Sequence, residues 1–413
     1  MSNSDTVLFT VDKNGFAKCG LPPVDYNDSY DIRADHVGRL ANASHISFSP
    51  DGQLYAVRGY ELYTGPMPHH EDQDWFAEAT RVGKANWDKI KYFFFHPKGD
   101  LYVLTTDGKL YKGPAPNNED VSWMYGQATK IGNYNWDKLN AVFFDPEGIL
   151  YAVTSGDSLV MGKPPTNPAE EWERNATTIG TGGWLPLTYF ISFSSDGYLW
   201  CVRKDGQIFR GPRPTVQDSH YIDKATCMGY DYDMYRFLSF TRDRTVQSII
   251  SFEFLPDEGK TVSESLEILE SQNFVNTQSS SPLQCTFSFT KTIKNTSVFT
   301  HEHGFTFGVK AELTFKAGIP FIAESELKIG IDFSTSHKWT FSETNETTET
   351  YSMSNTFNLQ PGKAVRQVAS IKRAQMHVPY RAKVRTMFGN EITMSGVWQG
   401  ASTFNLMVKQ EDI

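Results

Sequence analysis

The chain has 413 residues, 14% of them aromatic and 21% charged, with a formal net charge of −9. That length suits two or three domains of roughly 100–200 residues each, and an acidic balance argues against a nucleic-acid partner, which would want a basic surface. No run approaches the ~18–20 continuous apolar residues of a membrane helix, and the opening segment lacks the basic and apolar regions of a classical signal peptide, so a soluble, signal-free protein is expected.

The first 250 or so residues carry a repeat. ISFSPDGQLYAVRGYELYTGPMP (46–68), FFFHPKGDLYVLTTDGKLYKGPAP (93–116), VFFDPEGILYAVTSGDSLVMGKPP (142–165) and ISFSSDGYLWCVRKDGQIFRGPRP (191–214) are one unit written four times. Its turn residue falls at Pro50, Pro97, Pro146 and Ser195, and a worn fifth copy puts Arg242 at the same point. Each unit reads strand, turn, strand, D-G-type turn, strand. The Gly-Pro that follows forces the chain out of the sheet, because proline has no N–H for a ladder. The period is that of a propeller blade. The fifth copy lacks its Gly-Pro end, and residues 6–23 supply that end without a beginning, so the ring is expected to close by joining both ends of the domain in one of five blades. A boundary is expected near Pro256–Gly259, giving domains 1–256 and 257–413.

A second motif recurs between blades: NWDK at 86–89, NWDK at 135–138, GGWLP at 182–186 and DYDM at 231–234, with RLAN at the same offset after the first blade. An aromatic ring beside Asn or Asp suits a sugar, the ring covering the apolar face of a pyranose while polar groups bond its hydroxyls. The competing reading makes the ring blade-to-blade packing and the Asp a turn former. The unit W…A…IG…NWDK…FFF.P.G.LY.V..DGKLYKGP.P resembles the tachylectin-2-like propeller lectins over about residues 6–256. The resemblance implies one site per blade for N-acetylhexosamines (GlcNAc/GalNAc-type cell-surface glycans), formed around Asn86, Trp87, Asp88, Asn135, Trp136 and Asp137, with Trp184, Tyr232 and Asp233 in weaker copies of the motif.

From about residue 260 the chain turns to Ser/Thr-rich alternating strands around one longer ribbon, GFTFGVKAELTFKAGIPFIAESELKIGIDF (304–333). Its odd positions are apolar except Ser325 and its even positions polar except Ile322, the period-two signature of a two-faced strand. Both arms keep the odd parity, so a hairpin needs an odd loop: Gly318-Ile319-Pro320, or 317–321. Arms 305–317 and 321–333 would each run roughly 43 Å and reach about 33 Å of height at a barrel tilt near 40°, enough for a bilayer core. One hairpin cannot span lipid with its edges unpaired, so insertion would require a homo-oligomeric ring.

This stretch, with LQPGKAVRQVASIKRAQMHVPYRAKVRT and SGVWQGASTFNLMVKQ, is similar to the aerolysin-type pore-forming module of natterin-like and epsilon-toxin-like proteins. The resemblance covers ~262–413 and implies that 304–333 is the pre-stem hairpin of a transmembrane barrel. On that reading Val309, Leu313, Phe315, Leu327, Ile329 and Ile331 face lipid, Ile319 and Phe321 sit at the tip, and Lys310, Glu312, Lys316, Glu324, Glu326, Lys328 and Asp332 line the lumen. The expected fold is all-β, a five-bladed propeller followed by an elongated aerolysin-like β-sheet domain. The four cysteines have no metal or disulfide spacing, and no catalytic motif is present. A non-enzymatic protein without cofactor or metal is therefore expected, its partners glycans, other copies of the chain and, after assembly, the lipid bilayer. Two functions remain open: a lectin-targeted pore former, or a soluble multivalent lectin whose second domain only oligomerises it.

Overall fold

A computed structural model describes residues 5–215, 220–302, 305–323, 328–341 and 343–413. Packing divides the chain into two units, the first made of 1–245, 303–309 and 386–390, the second of 246–302, 310–385 and 391–413.

Each repeat folds into three antiparallel strands through its two turns, and the segment beyond the Gly-Pro returns as a fourth. Blade 2 is Ala43–Phe48, Leu54–Arg58, Glu61–Gly65 and Thr80–Gly83, with blades 3 to 5 repeating the order from Ile90, Ala141 and Phe190. Blade 1 is composite: Tyr235–Arg242 pairs with Thr6–Asp12, Leu8 opposite Phe240, and Phe16–Gly20 and Asp35–Arg39 complete it. The ring thus closes by strand pairing between distant parts of the chain, and the inner strand Tyr235–Arg242 adjoins both Ala43–Phe48 and Phe190–Phe193. Phe48, Phe95, Phe144, Phe193 and Phe240, one from each blade, line a shared cavity of about 300 Å³. The worn fifth copy keeps this phenylalanine although it has lost most of its motif.

Two aromatics recur among the repeats, and one of them explains a recurring glycine. Before each outer strand a short helical turn carries Tyr30, Trp75, Trp123, Trp172 or Tyr221 inward, all at most 3% exposed. The indole N–H of Trp75, Trp123 and Trp172 donates to the carbonyls of Pro66, Pro114 and Lys163, each at 2.7 Å, and the Tyr221 hydroxyl donates to Pro212 O at 3.1 Å. The glycine ending the outer strand has no room for a side chain. A Cβ on Gly83, Gly132 or Gly180 would stand 2.1, 2.2 or 2.0 Å from the Nε1 of Trp87, Trp136 or Trp184.

In the first unit, Asp243 is fully buried and accepts hydrogen bonds from the Thr386 hydroxyl, Asn390 Nδ2 (2.8 Å) and Phe388 N (3.2 Å), which ties the 386–390 loop into that unit. Burial pushes its carboxyl above the usual carboxylate range.

The second unit is a sheet of long strands in the order Thr245–Phe254, Lys363–Thr386, Glu391–Asp412, Leu283–His301 and Asn345–Leu359, with Lys260–Asn276 also pairing Lys363–Thr386. Along Leu283–His301, buried and exposed residues alternate. Phe287, Phe289 and Ile293 point into a core with Leu269, Ala369 and Ile371. The outward residues form threonine pairs, Thr286 with Thr356 and Thr292 with Thr350, each at 3.1 Å. This is how Ser/Thr-rich strands remain ordered with a thin core.

The ribbon folds differently from the parity argument. Thr306–Glu312 is a separate strand at the edge of the larger sheet, and the hairpin is Thr314–Ala323 paired with Lys328–Thr340. Gly318, Ile319 and Pro320 therefore lie within a strand rather than in a loop, and 324–327, between the arms, are outside the described residues. The parity breaks at Gly318. Ala317 opposes His337, Ile319 opposes Asp332, and the register slips between them. A Cβ at Gly318 would stand 2.5 Å from Asp332 O, so only glycine permits this irregularity.

Replacing Gly132 by alanine should overpack the Trp136 site and cost about 1–3 kcal/mol. Gly156→Ala, where the nearest atom is 3.7 Å away, should stay within about 0.5 kcal/mol. Urea unfolding of both variants checks this; equal stability would place the close approach of Trp136 in doubt.

Candidate functional site

The links between blades start from a backbone requirement. Asn42, Asn86, Asn135, Gly183 and Asp231 occupy one position in five successive links, and all have positive φ, between 61° and 78°. Asn, Asp and Gly are the residues that tolerate that conformation most readily. The recurring Asn therefore has a conformational role before any binding role.

The next residue turns inward and packs on the helical turn of the following blade. Trp87 lies 5.9 Å from Trp123, Trp136 is stacked on Trp172 at 5.4 Å and 28°, Trp184 on Tyr221 at 5.1 Å and 28°, and Tyr232 lies 6.1 Å from Tyr30. Trp87, Trp136, Trp184 and Tyr232 are 2%, 5%, 0% and 3% exposed. Their faces are taken by blade packing, which corrects the expectation that these rings cover a sugar. The aspartates also turn elsewhere. Asp137 and Asp233 lie against the turn glycines of their own blades, where a Cβ on Gly108 or Gly206 would stand 2.3 or 2.5 Å from the carboxylate Oδ1. In blade 4 the relation inverts: Asp157 sits in the turn and accepts from the amides of Gly183 (2.8 Å), Trp184 (2.8 Å) and Leu185 (2.6 Å). Asn86 accepts from Lys89 Nζ at 2.9 Å, and Asp88 is exposed.

Open space lies one layer further out, in clefts between blades. After blade 3, a cleft of about 380 Å³ is lined by Asn133, Tyr134, Asn135, Trp136 and the 168–174 turn of blade 4. After blade 5, one of about 290 Å³ is lined by Tyr26, Asp28, Asp31, Tyr230, Asp231 and Tyr232 among others. Both carry exposed tyrosines that the sequence reading passed over: Tyr134 is 79% exposed, and Tyr230 (55%) packs against Tyr26 (49%) at 5.6 Å. The signal was present, since the residue two before the link aromatic is Tyr134 or Tyr230 here but Ala85 and Gly182 in the other two links that carry an aromatic. After blade 2 the equivalent cleft is spanned by Lys84, bridged to Glu119 at 3.4 Å and Asp120 at 3.5 Å.

The cleft after blade 5 holds two ionised carboxylates. The Lys18 ammonium at 2.6 Å, aided by the Tyr235 hydroxyl at 2.9 Å, holds Asp31 below the usual carboxylate range. Burial works against ionisation of Asp28, but Arg33 at 2.9 Å and the Val24 amide keep its carboxyl low as well. Burial pushes the Tyr232 phenol up, and its hydroxyl has no hydrogen-bond partner among the described residues.

In the second unit the hairpin is held by rings. Trp339, fully buried, lies 5.7 Å from Phe299 and 6.1 Å from both Phe254 and Trp398, while Phe315 lies 4.2 Å from Phe252 and 5.0 Å from Phe341. Trp339 Nε1 donates to Gly318 O at 3.3 Å, and Ile322 N donates to the Ser402 hydroxyl at 3.3 Å. Leu313, Phe315, Ile319, Ile329 and Ile331 are partly buried here, whereas Phe321 (37%), Phe333 (80%), Lys316 and Lys328 are exposed. Asp332 Oδ1 accepts a hydrogen bond from Ser334 N at 2.8 Å. Glu324, Glu326 and Leu327, and the side chains of Val309, Lys310 and Glu312, lie outside the described residues.

A ring of five four-stranded blades joined to a sheet of strands up to 24 residues long defines a β-propeller fused to an elongated β-sheet module. The tachylectin family profile matches residues 10–237, and the Clostridium epsilon toxin ETX/Bacillus mosquitocidal toxin MTX2 profile matches 216–410. The chain belongs to the tachylectin family and carries the ETX/MTX2 module after its propeller. Among solved structures, a symmetrical protein studied for its de novo evolutionary emergence under folding constraints is 30% identical, with TM-score 0.52, covering 56% of this chain and 97% of that one. The lamprey immune protein is 15% identical (TM-score 0.32; 76% of this chain, 87% of that one). An aerolysin-like protein of Bombina maxima is 10% identical (TM-score 0.28; 40% and 99%).

Because the folded-state pKa of Asp31 is depressed, its contribution to stability is present above the unfolded value of about 3.9 and is lost as pH falls through the lower folded value. Asp31→Asn should therefore lower the thermal midpoint at pH 7, with the gap to wild type closing below about pH 4. A gap that widens on acidification would contradict this assignment.

Proposed function

We propose that the protein binds N-acetylhexosamine-type glycans on a cell surface through its propeller, assembles into a homo-oligomeric ring and inserts one hairpin per subunit as a β-barrel pore. It acts from outside the target cell, in cytolysis or defence. The observation that carries the reading is the hairpin Thr314–Thr340. It is inserted between two strands already paired over 15 residues, Leu283 with Leu359 through Ser297 with Asn345, and its own packing rests on one aromatic cluster. Among the described residues no helix is long and apolar enough to cross a membrane, a statement that does not bear on strands.

The glycan sites are assigned to the clefts between blades. Exposed Tyr134, and Tyr230 with Tyr26, supply the stacking faces, while Asn135, Asp28 and Asp31 supply hydrogen-bond acceptors. Buried Trp87, Trp136, Trp184 and Tyr232 set the cleft walls. Asn86 and Asp88 belong to the cleft spanned by Lys84, and Asp137 and Asp233 act by fixing the links. Several weak sites on one ring gain avidity on a glycan-dense surface. A lumen lined by three lysines and four carboxylates per subunit, Lys310, Lys316 and Lys328 against Glu312, Glu324, Glu326 and Asp332, is at most weakly cation-selective. Val309, Leu313, Phe315, Leu327, Ile329 and Ile331 supply the lipid face.

Phosphatidylcholine vesicles carrying a GlcNAc-terminated glycolipid test both halves. Tyr134→Ala with Tyr230→Ala should weaken vesicle binding at least ten-fold without lowering the thermal midpoint. Leu313→Asp should keep binding within two-fold and abolish dye release, because a lipid-facing charge costs roughly 2–4 kcal/mol per subunit near the midplane; Thr314→Asp, on the lumen face, should still release. Wild-type protein that binds such vesicles and never leaks them, with or without limited proteolysis or acidification, would leave a soluble multivalent lectin as the function.

A further inference from the structure

Strands Leu283–His301 and Asn345–Leu359 are paired without a slip, and in every pair the two residue numbers add to 642. Beyond Ser297 and Asn345 they separate. Val298–His301 crosses to pair with Gly396–Gln399. On the other side the Asn345 side chain closes a turn, Oδ1 accepting from Thr340 N at 2.8 Å and Nδ2 donating to Thr340 O at 2.8 Å. Within the insert the pairing follows another rule: near the tip, from Ile319 with Asp332 to Ala323 with Lys328, the numbers add to 651. The two registers differ by nine, an odd number. An odd shift changes which faces of the two arms coincide, because side chains alternate with period two. In the present pairing Ile319 shares a face with Asp332, and Phe321 with Gly330.

We infer that on assembly the whole insert re-pairs in the register of the flanking strands, so that the barrel hairpin turns at Phe321. This rests on the pore reading above and specifies the surface offered to lipid. Every odd residue then faces an odd residue: Leu313 opposes Ile329 and Val309 opposes Phe333, which restores one apolar face interrupted only at Ser325. On the other face Lys310 opposes Asp332 and Lys316 opposes Glu326, opposite charges across the ladder. A turn centred on Ile319 would instead set Lys310 against Lys328 and Glu312 against Glu326, which cross-strand pairing disfavours. From Val309–Phe333 to Ile319–Ala323 the apolar face spans 11 residues per arm, roughly 28 Å of height at a 40° tilt, close to the ~25 Å apolar band of such barrels. The new register also gives Phe333, 80% exposed here, an apolar partner and a lipid environment.

Paired cysteines read the register directly. In wild-type background Cys19, Cys201 and Cys285 are buried; wild type and single variants serve as controls. Leu313→Cys is combined in turn with Ile329→Cys, Leu327→Cys and Ser325→Cys, and each protein is oxidised after assembly on the glycolipid vesicles. The intramolecular cross-link 313–329 should exceed the other two at least ten-fold. In a fourth variant, Ile322→Cys with Ile329→Cys, which oppose each other in the soluble fold, oxidation before mixing should cut dye release at least ten-fold and reduction should restore it. Dominance of 313–327 or 313–325 with release intact would overturn the register and leave the pore reading standing. Undiminished release from the oxidised 322–329 variant would also overturn it. Absence of release from the unoxidised proteins, with 322–329 still the pair that forms on vesicles, would overturn both.

Discussion

An unpaired strand edge exposes a row of N–H and C=O groups that must find partners, in water as a guard against aggregation and in lipid as a condition of existence. The first unit meets this demand by pairing Tyr235–Arg242 with Thr6–Asp12, so that the ring has no loose blade. In the second unit the two flanking strands pair with each other over 15 residues; beyond them Val298–His301 pairs with Gly396–Gln399, and the insert pairs within its own hairpin. The proposed barrel is the arrangement in which those edges pair along the whole insert and with neighbouring copies.

In the proposed mechanism the two states of the hairpin are held apart by packing. Removing Phe315 and Trp339 from their ring cluster forfeits several aromatic contacts, each worth about 0.5–1.5 kcal/mol beyond area burial. Against that stand the gain of lipid contact for the apolar face and the hydrogen bonds of a closed barrel. The exposed Phe333 and Phe321 show that the soluble packing satisfies only part of the ribbon's apolar residues.

Much of the first unit was legible because its repeat fixes strand, turn and exit residues at set offsets, and even the composite blade followed from two incomplete copies. The link motif was legible as a motif but misread in role. Trp136 beside Asn135 and Asp137 looks like a sugar site, yet the asparagine answers a left-handed backbone, the tryptophan stacks on Trp172, and the aspartate rests on Gly108. The two clefts described above carry, at a position that varies between copies, Tyr134 or Tyr230 where other links have Ala85 or Gly182. A search for repeats averages that signal away. In the ribbon, period-two alternation correctly announced strands, but one glycine that admits a register slip was enough to put 318–320 within a strand rather than in a loop.

The central claim is that glycan-bound protein converts its insert into an aqueous pore. Planar bilayers containing the GlcNAc-terminated glycolipid, with protein added to one side, measure this directly. The account predicts discrete conductance steps of uniform size, weakly cation-selective, that free N-acetylglucosamine suppresses by blocking attachment. A bilayer that collects protein yet shows no steps, or only irregular leakage without a unit conductance, would contradict it.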